Sequence, residues 1–150
     1  MDSLQITTGE KRIPIVRDGQ NVGEIVFNPS DVLFAERFYK LIGEFDTRFA
    51  EYQEKAKTLV AVTEKDKHDF PINTDAQIEL TKEVCVYIKE RIDILFGAGT
   101  SQIVFGDVLN VDMFGDFFTG IQPHIQKARS EKIAQYTTVT SAKRNKRKMK

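Results

Sequence analysis

Catalysis by this chain would have to draw on a short set of side chains. His68 stands between Asp66 and Asp69, a grouping that a general base or a metal ligand can use. His124 follows Pro123, and Cys85 is the single thiol. Asp107, Asp112 and Asp116 supply carboxylates, the latter two on one helix face at a spacing of four, as paired acid ligands would be. Each has a plainer account. His68 reads as a solvated loop histidine in a charged stretch, and His124 as a residue at a helix start. Cys85 lies on an apolar helical stripe with no cation beside it, which describes a small buried hydrophobe rather than an activated thiol. The aspartates lack a histidine or a second acidic motif at matching spacing and read as solvent-facing. Gly97-Ala98-Gly99-Thr100 has the glycines of a phosphate loop, but no Gly-Lys-Ser/Thr follows and a helical pattern precedes it, so it reads as a helix end and turn. No nucleophile elbow, zinc spacing or dinucleotide fingerprint occurs. These residues predict a protein that is not an enzyme and that takes no metal and no cofactor.

What the chain has in excess is aromatic side chains: 11 Phe and 4 Tyr, with no Trp. Phe34, Phe38, Leu41, Phe45, Phe49, Tyr52, Ala56 and Leu59 recur at spacings of three and four, one stripe along a helix. A second concentration runs from Phe105 to Phe118. Aromatics at helical spacing fill cores, each burying about 150 to 250 Å². A helix longer than its domain nevertheless leaves part of its stripe without an intramolecular partner, open to self-association or to another amphipathic helix. Phe45, Phe49, Tyr52, Phe114, Phe117 and Phe118 are the candidate partner-binding residues.

The elements that must position them follow from the pattern. At 150 residues the chain is one ordinary domain. Ile13 and Ile15, then Val22, Ile25 and Phe27, flank Asp18-Gly19-Gln20-Asn21 and predict a β-hairpin, with Pro14 favouring an edge and residues 3–8 offering a third strand. Asn28-Pro29-Ser30-Asp31 then opens a helix, with Asn28 or Ser30 able to cap it and Asp31 an early carboxylate; it is expected to reach about Val62, roughly 48 Å at 1.5 Å per residue, with Gly43 its weak point. A polar connection over 63–74 leads to a second helix from Asp75 that stops at Gly97. A third apolar series begins at Val104, and Pro123 is expected to kink or divide it. The fold class is therefore α+β: a mainly helical bundle (29–136) with a short N-terminal hairpin (1–28) as one domain, and a flexible basic tail over 137–150.

The formal charge of zero hides a division. All 22 acidic residues precede residue 143, whereas six of the 22 basic ones, Lys143, Arg144, Lys146, Arg147, Lys148 and Lys150, fall in the last eight positions. The body, with 16 basic residues against 22 acidic, carries −6 and the tail +6. An acidic body, and a tail without interleaved aromatics, argue against a nucleic-acid binder. No apolar run approaches the roughly 20 residues of a membrane span, and the start lacks a secretory signal, so a soluble intracellular protein with no membrane contact is expected.

Three stretches carry a resemblance: IVFNPSDVLFAERFYKLIGEF entering the long helix, FGDVLNVDMFGDFFTGIQPHI in the later helical part, and EKIAQYTTVTSAKRNKRKMK at the end. In this order they resemble the tail assembly chaperones of long-tailed bacteriophages and prophages of Gram-positive bacteria. The resemblance implies a non-enzymatic protein of the host cytoplasm. It would bind the long helical tape-measure protein before the tail tube polymerises, yield to the tail-tube protein, and be absent from the mature virion. In that family a longer form often arises by ribosomal frameshifting. The rival readings are a structural minor tail or tail-completion protein, whose stripe makes a permanent interface, and a nucleic-acid-associated regulator using the tail.

Overall fold

The computed structural model describes the backbone of residues 2–148 and the side chains of residues 2–135. The protein is α+β and mainly helical, with an N-terminal hairpin formed by β1 (Lys11–Arg17) and β2 (Gln20–Phe27). Asp18 and Gly19, both at positive φ (52° and 79°), make the two-residue turn whose twist matches that of the flanking strands. The antiparallel ladder runs from Arg17 opposite Gln20 to Lys11 opposite Phe27, with a bulge between Ile15 and Val16. Gly23, at φ 144°, sits at this bulge because a Cβ there would come within 3.1 Å of Ile103 Cγ2. Ile13 and Ile15 face inward and Val16 faces solvent, as alternation requires. The third strand expected over 3–8 is not formed: the described residues hold one two-stranded sheet.

Helix α1 spans Val32–Val60 without a break at Gly43. Its cap is Asp31, whose Oδ1 accepts the Leu33 N–H at 2.9 Å. Asn28 is used one step earlier. Its Oδ1 accepts the Ser30 N–H at 3.0 Å, and its Nδ2 donates to the Thr8 carbonyl at 2.9 Å. Helix α2 (Thr74–Phe96) starts where Asn73 Nδ2 donates to the Leu59 carbonyl at 2.8 Å, tying the end of α1 to the start of α2, and it ends at Gly97. The short α3 (Thr100–Phe105) is fixed from α2: Asp93 accepts the Ser101 N–H at 2.7 Å through Oδ1 and the Ser101 hydroxyl at 2.8 Å through Oδ2. Arg17 closes the other end of α3, its Nη1 donating to the Ile103 carbonyl at 2.9 Å.

Helix α4 spans Asp112–Lys148 and carries Pro123 inside it, so the proline does not divide the series. Ile121 and Ile125, on either side, are both buried, and this packing holds the turn together where the proline cannot donate. Arg129 Nη2 donates to the Ser30 carbonyl at 2.9 Å, pinning α4 beside the start of α1. Phe118 meets Phe45 eleven residues earlier in α4, so α4 runs antiparallel to α1. Helix α2 is antiparallel to α1 as well, with Phe96 beside Phe34 and Tyr87 beside Phe45.

The core lies where the hairpin meets the three long helices. Phe27, Phe34, Phe96, Phe117, Phe105 and Phe114 form a chain of rings with centroids 4.9 to 5.7 Å apart, mostly edge to face. That geometry contributes about 0.5 to 1.5 kcal/mol per pair beyond area burial.

Candidate functional site

None of the chemistry-bearing residues singled out in the sequence is assembled into a reacting centre. His68 is exposed in the α1–α2 connection, and its N–H donates to Asp66 Oδ1 at 2.8 Å, which also accepts the Phe70 N–H at 3.1 Å. The aspartate thus shapes the turn. His124 lies within α4, its ring edge-on to Phe27 at 6.4 Å. Cys85 is fully buried, and burial pushes its thiol up from the usual range, with nearby Lys89 opposing this weakly. Asp107 accepts from Gln102 Nε2 at 3.1 Å, and the Asp112 N–H donates to Asn110 Oδ1 at 3.0 Å. Among the described residues no group of three His, Cys, Asp or Glu can hold a metal ion, and no helix is long and apolar enough to cross a membrane.

The aromatic residues are a different matter. Phe45, Phe49 and Tyr52 of α1, Leu80, Val84 and Ile88 of α2, and Phe114 and Phe118 of α4 line one open cleft of about 510 Å³. Polar groups come to it from Gln53, Thr81 and the Tyr52 hydroxyl, and Gly115 leaves its floor bare: a Cβ there would meet nothing within 4 Å. The cleft arises from unequal helix lengths. Helix α1 continues past Tyr52 to Val60 and α2 begins well before Val84, each adding roughly two turns or more, whereas α4 starts only at Asp112. Beyond that start, the groove between α1 and α2 has no third helix in it among the described residues.

Five of the six candidate partner-binding residues meet there. The sixth, Phe117, points instead into the core against Phe96 and Phe105. Within the five the burial is uneven. Phe45, Tyr52 and Phe114 are buried and form the walls, while Phe49 and Phe118 are only partly buried and present ring surface to the opening. The basic residues Lys143, Arg144, Lys146, Arg147, Lys148 and Lys150 lie outside the residues whose side chains are described, as does the tail expected over 137–150.

One polar cluster stiffens the wall behind the cleft. The Tyr87 hydroxyl donates to Glu44 Oε1 at 2.9 Å, and the Arg48 and Arg91 guanidinium groups lie 5.0 and 5.4 Å from its ring centroid. Arg91 Nε, 3.4 Å from the same carboxylate oxygen, is in ion-pair range without a hydrogen bond. Burial raises the Tyr87 phenol above its ordinary range, and its hydrogen bond to Glu44 adds to this. The sequence shows Glu44 and Arg48 on the polar face of α1 but gives no sign that they converge on Tyr87, forty residues away.

A second groove of about 750 Å³ lies between α1 and α2, bordered by Lys55, Glu79, Lys82 and Glu83. Lys55 and Glu83 pair across its mouth at 3.6 Å. Among the described residues the aromatic cleft has no such charged border.

No curated protein and no solved structure matches the chain. A family model does, over residues 21–150, a stretch that contains all of β2 but its first residue, every described helix and all the residues of the aromatic cleft; the chain belongs to the family of unknown function DUF6673.

Proposed function

We propose that the protein is a tail assembly chaperone of a long-tailed phage or prophage, acting in the host cytoplasm. It holds an apolar helical segment of the tape-measure protein until tail-tube subunits replace it. The reading rests on the aromatic cleft: an apolar groove flanked by two helices that outrun the third is the shape into which an amphipathic helix lays anchors spaced at i, i+3 or i+4, and i+7. The three stretches of sequence that resemble those chaperones support the tape-measure protein as that partner. Burying rings such as Phe49 and Phe118 against a helix supplies about 25 cal/mol per Å² of apolar surface covered.

Co-expression with a tape-measure fragment tests this. The fragment is expected to stay in solution only when this protein is present, and to co-purify with it. A fragment equally soluble alone, or no complex, sinks the reading. Mass spectrometry of purified particles separates a chaperone, which is expected to be missing from them, from a structural minor tail or tail-completion protein, which would persist.

A further inference from the structure

The segment ahead of β1 is built like a strand and pairs with no strand among the described residues. In residues 2–8 Leu4 and Ile6 alternate with Ser3, Gln5 and Thr7, yet Leu4 is 88% exposed and Ile6 79%. Single exposed aliphatics are ordinary, but two at strand period on an unpaired arm are a half-buried strand without its sheet. Only the base of the arm is held. Thr8 accepts from Asn28, and Gly9 lies so close to Ser30 that a Cβ on it would approach to 2.7 Å. These contacts lie beyond the last ladder pair, Lys11 with Phe27, and a reversal of the arm onto its own β1 would break them.

The other half of the contact is the free edge of β1. Ile13, Pro14, Ile15, Val16, Arg17 and Asp18 all border one groove of about 450 Å³, and consecutive residues of a strand line the same space only along its edge. The far wall offers Val104, Val108, Met113 and Phe117, with Asn110 and Asp116 among them. Pro14 has no N–H to offer outward, but Arg12 and Val16, two residues to either side, have theirs.

We propose that residues 2–8 of one copy add as a third, antiparallel strand to the free β1 edge of a second copy. One register satisfies the whole pattern. Leu4 opposite Ile15 and Ile6 opposite Ile13 put both aliphatics over the groove, and the same count sets Asp2 opposite Arg17. Ser3, Gln5 and Thr7 then fall on the solvent face, opposite Val16, Pro14 and Arg12. Charge agrees with the register at the end of the strand, where Asp2 of the arm falls opposite Arg17 of β1. A two-stranded sheet is marginal in isolation, and a third strand relieves this. The contact is separate from the aromatic cleft and stands or falls independently of the chaperone reading.

Two full-length variants, Leu4→Cys and Ile15→Cys, are mixed and oxidised; Cys85 is buried and stays out of the reaction. A disulfide joining the two different chains is the expected result, together with a loss of the dimer by light scattering in Leu4→Asp/Ile6→Asp, whose circular dichroism stays unchanged because both side chains are exposed. The proposal is overturned if mixing gives no interchain disulfide, or if the disulfide forms only inside a single chain carrying both cysteines. It is equally overturned if Leu4→Asp/Ile6→Asp associates as the unaltered chain does.

Discussion

Asp93 shows how much one side chain can hold. It is a residue of α2, yet both its oxygens serve Ser101, capping the start of a six-residue helix too short to be stable on its own. Ser101 is buried, so losing the carboxylate leaves a backbone N–H and a hydroxyl without partners and away from water. Asp93→Ala is therefore expected to cost about 1 to 3 kcal/mol, at the upper end of what capping bonds and charge-assisted hydrogen bonds contribute. Urea denaturation followed by circular dichroism measures it, and a midpoint within error of the parent would remove Asp93 from this role. Nothing in the spacing of Asp93 and Ser101 announces the bond. It depends on the turn at Gly97–Gly99 folding α3 back onto the last turns of α2, so the sequence shows the turn and not what the turn brings together.

The long helices were legible because their apolar period is unambiguous and their ends carry strong signals. The stripe from Phe34 to Leu59 and the stop at Gly97 lie where the pattern puts them. Three details went otherwise, each because tertiary contacts outweigh a local preference. Asp31 caps α1 because Asn28 is used in a turn and in holding Thr8. Pro123 stays inside α4 because Ile121 and Ile125 are anchored in the core on both sides of it. The alternating residues 3–8 have strand character, but no strand lies beside them among the described residues. Gly43 is a case in which local preference has not been overridden. It is exposed in the middle of α1, and a Cβ there would touch nothing within 4 Å. Gly43→Ala is expected to raise stability by about 0.5 to 1 kcal/mol, the usual helix-interior difference, visible as a higher midpoint in urea or heat. A lower midpoint would mean that the path of α1 depends on the glycine.

For the molecule as a whole, what matters is the mismatch in length among α1, α2 and α4. No single stripe reveals it: five of the six aromatic candidates share the cleft because three helices end at different heights, and Phe117, next to Phe118 in the same turn, departs because it points about 100° around the helix from it, into the core. The same mismatch gives a test that leaves the fold alone. Gly115→Leu places a side chain in the open space of the cleft, on a helix that gains from losing a glycine. The variant is expected to match or exceed the parent in thermal stability while losing retention of a tape-measure fragment. Undiminished retention would show that the partner binds elsewhere. Among the described residues the cleft is lined by no charged side chain, although the chain carries −6 before residue 143 and +6 after it.

The pairing of Tyr87 with Glu44 has an optical side. With no Trp in the chain, its near-ultraviolet absorbance and emission come chiefly from four phenols, and two of them, Tyr52 and Tyr87, stand with ring centroids 6.2 Å apart. Tyr52 lines the cleft, and Tyr87 donates its hydroxyl to a carboxylate, a contact that quenches phenol emission. The protein thus carries a built-in, label-free reporter at the wall of its own cleft, and a partner without tyrosine or tryptophan can be titrated against it by light alone.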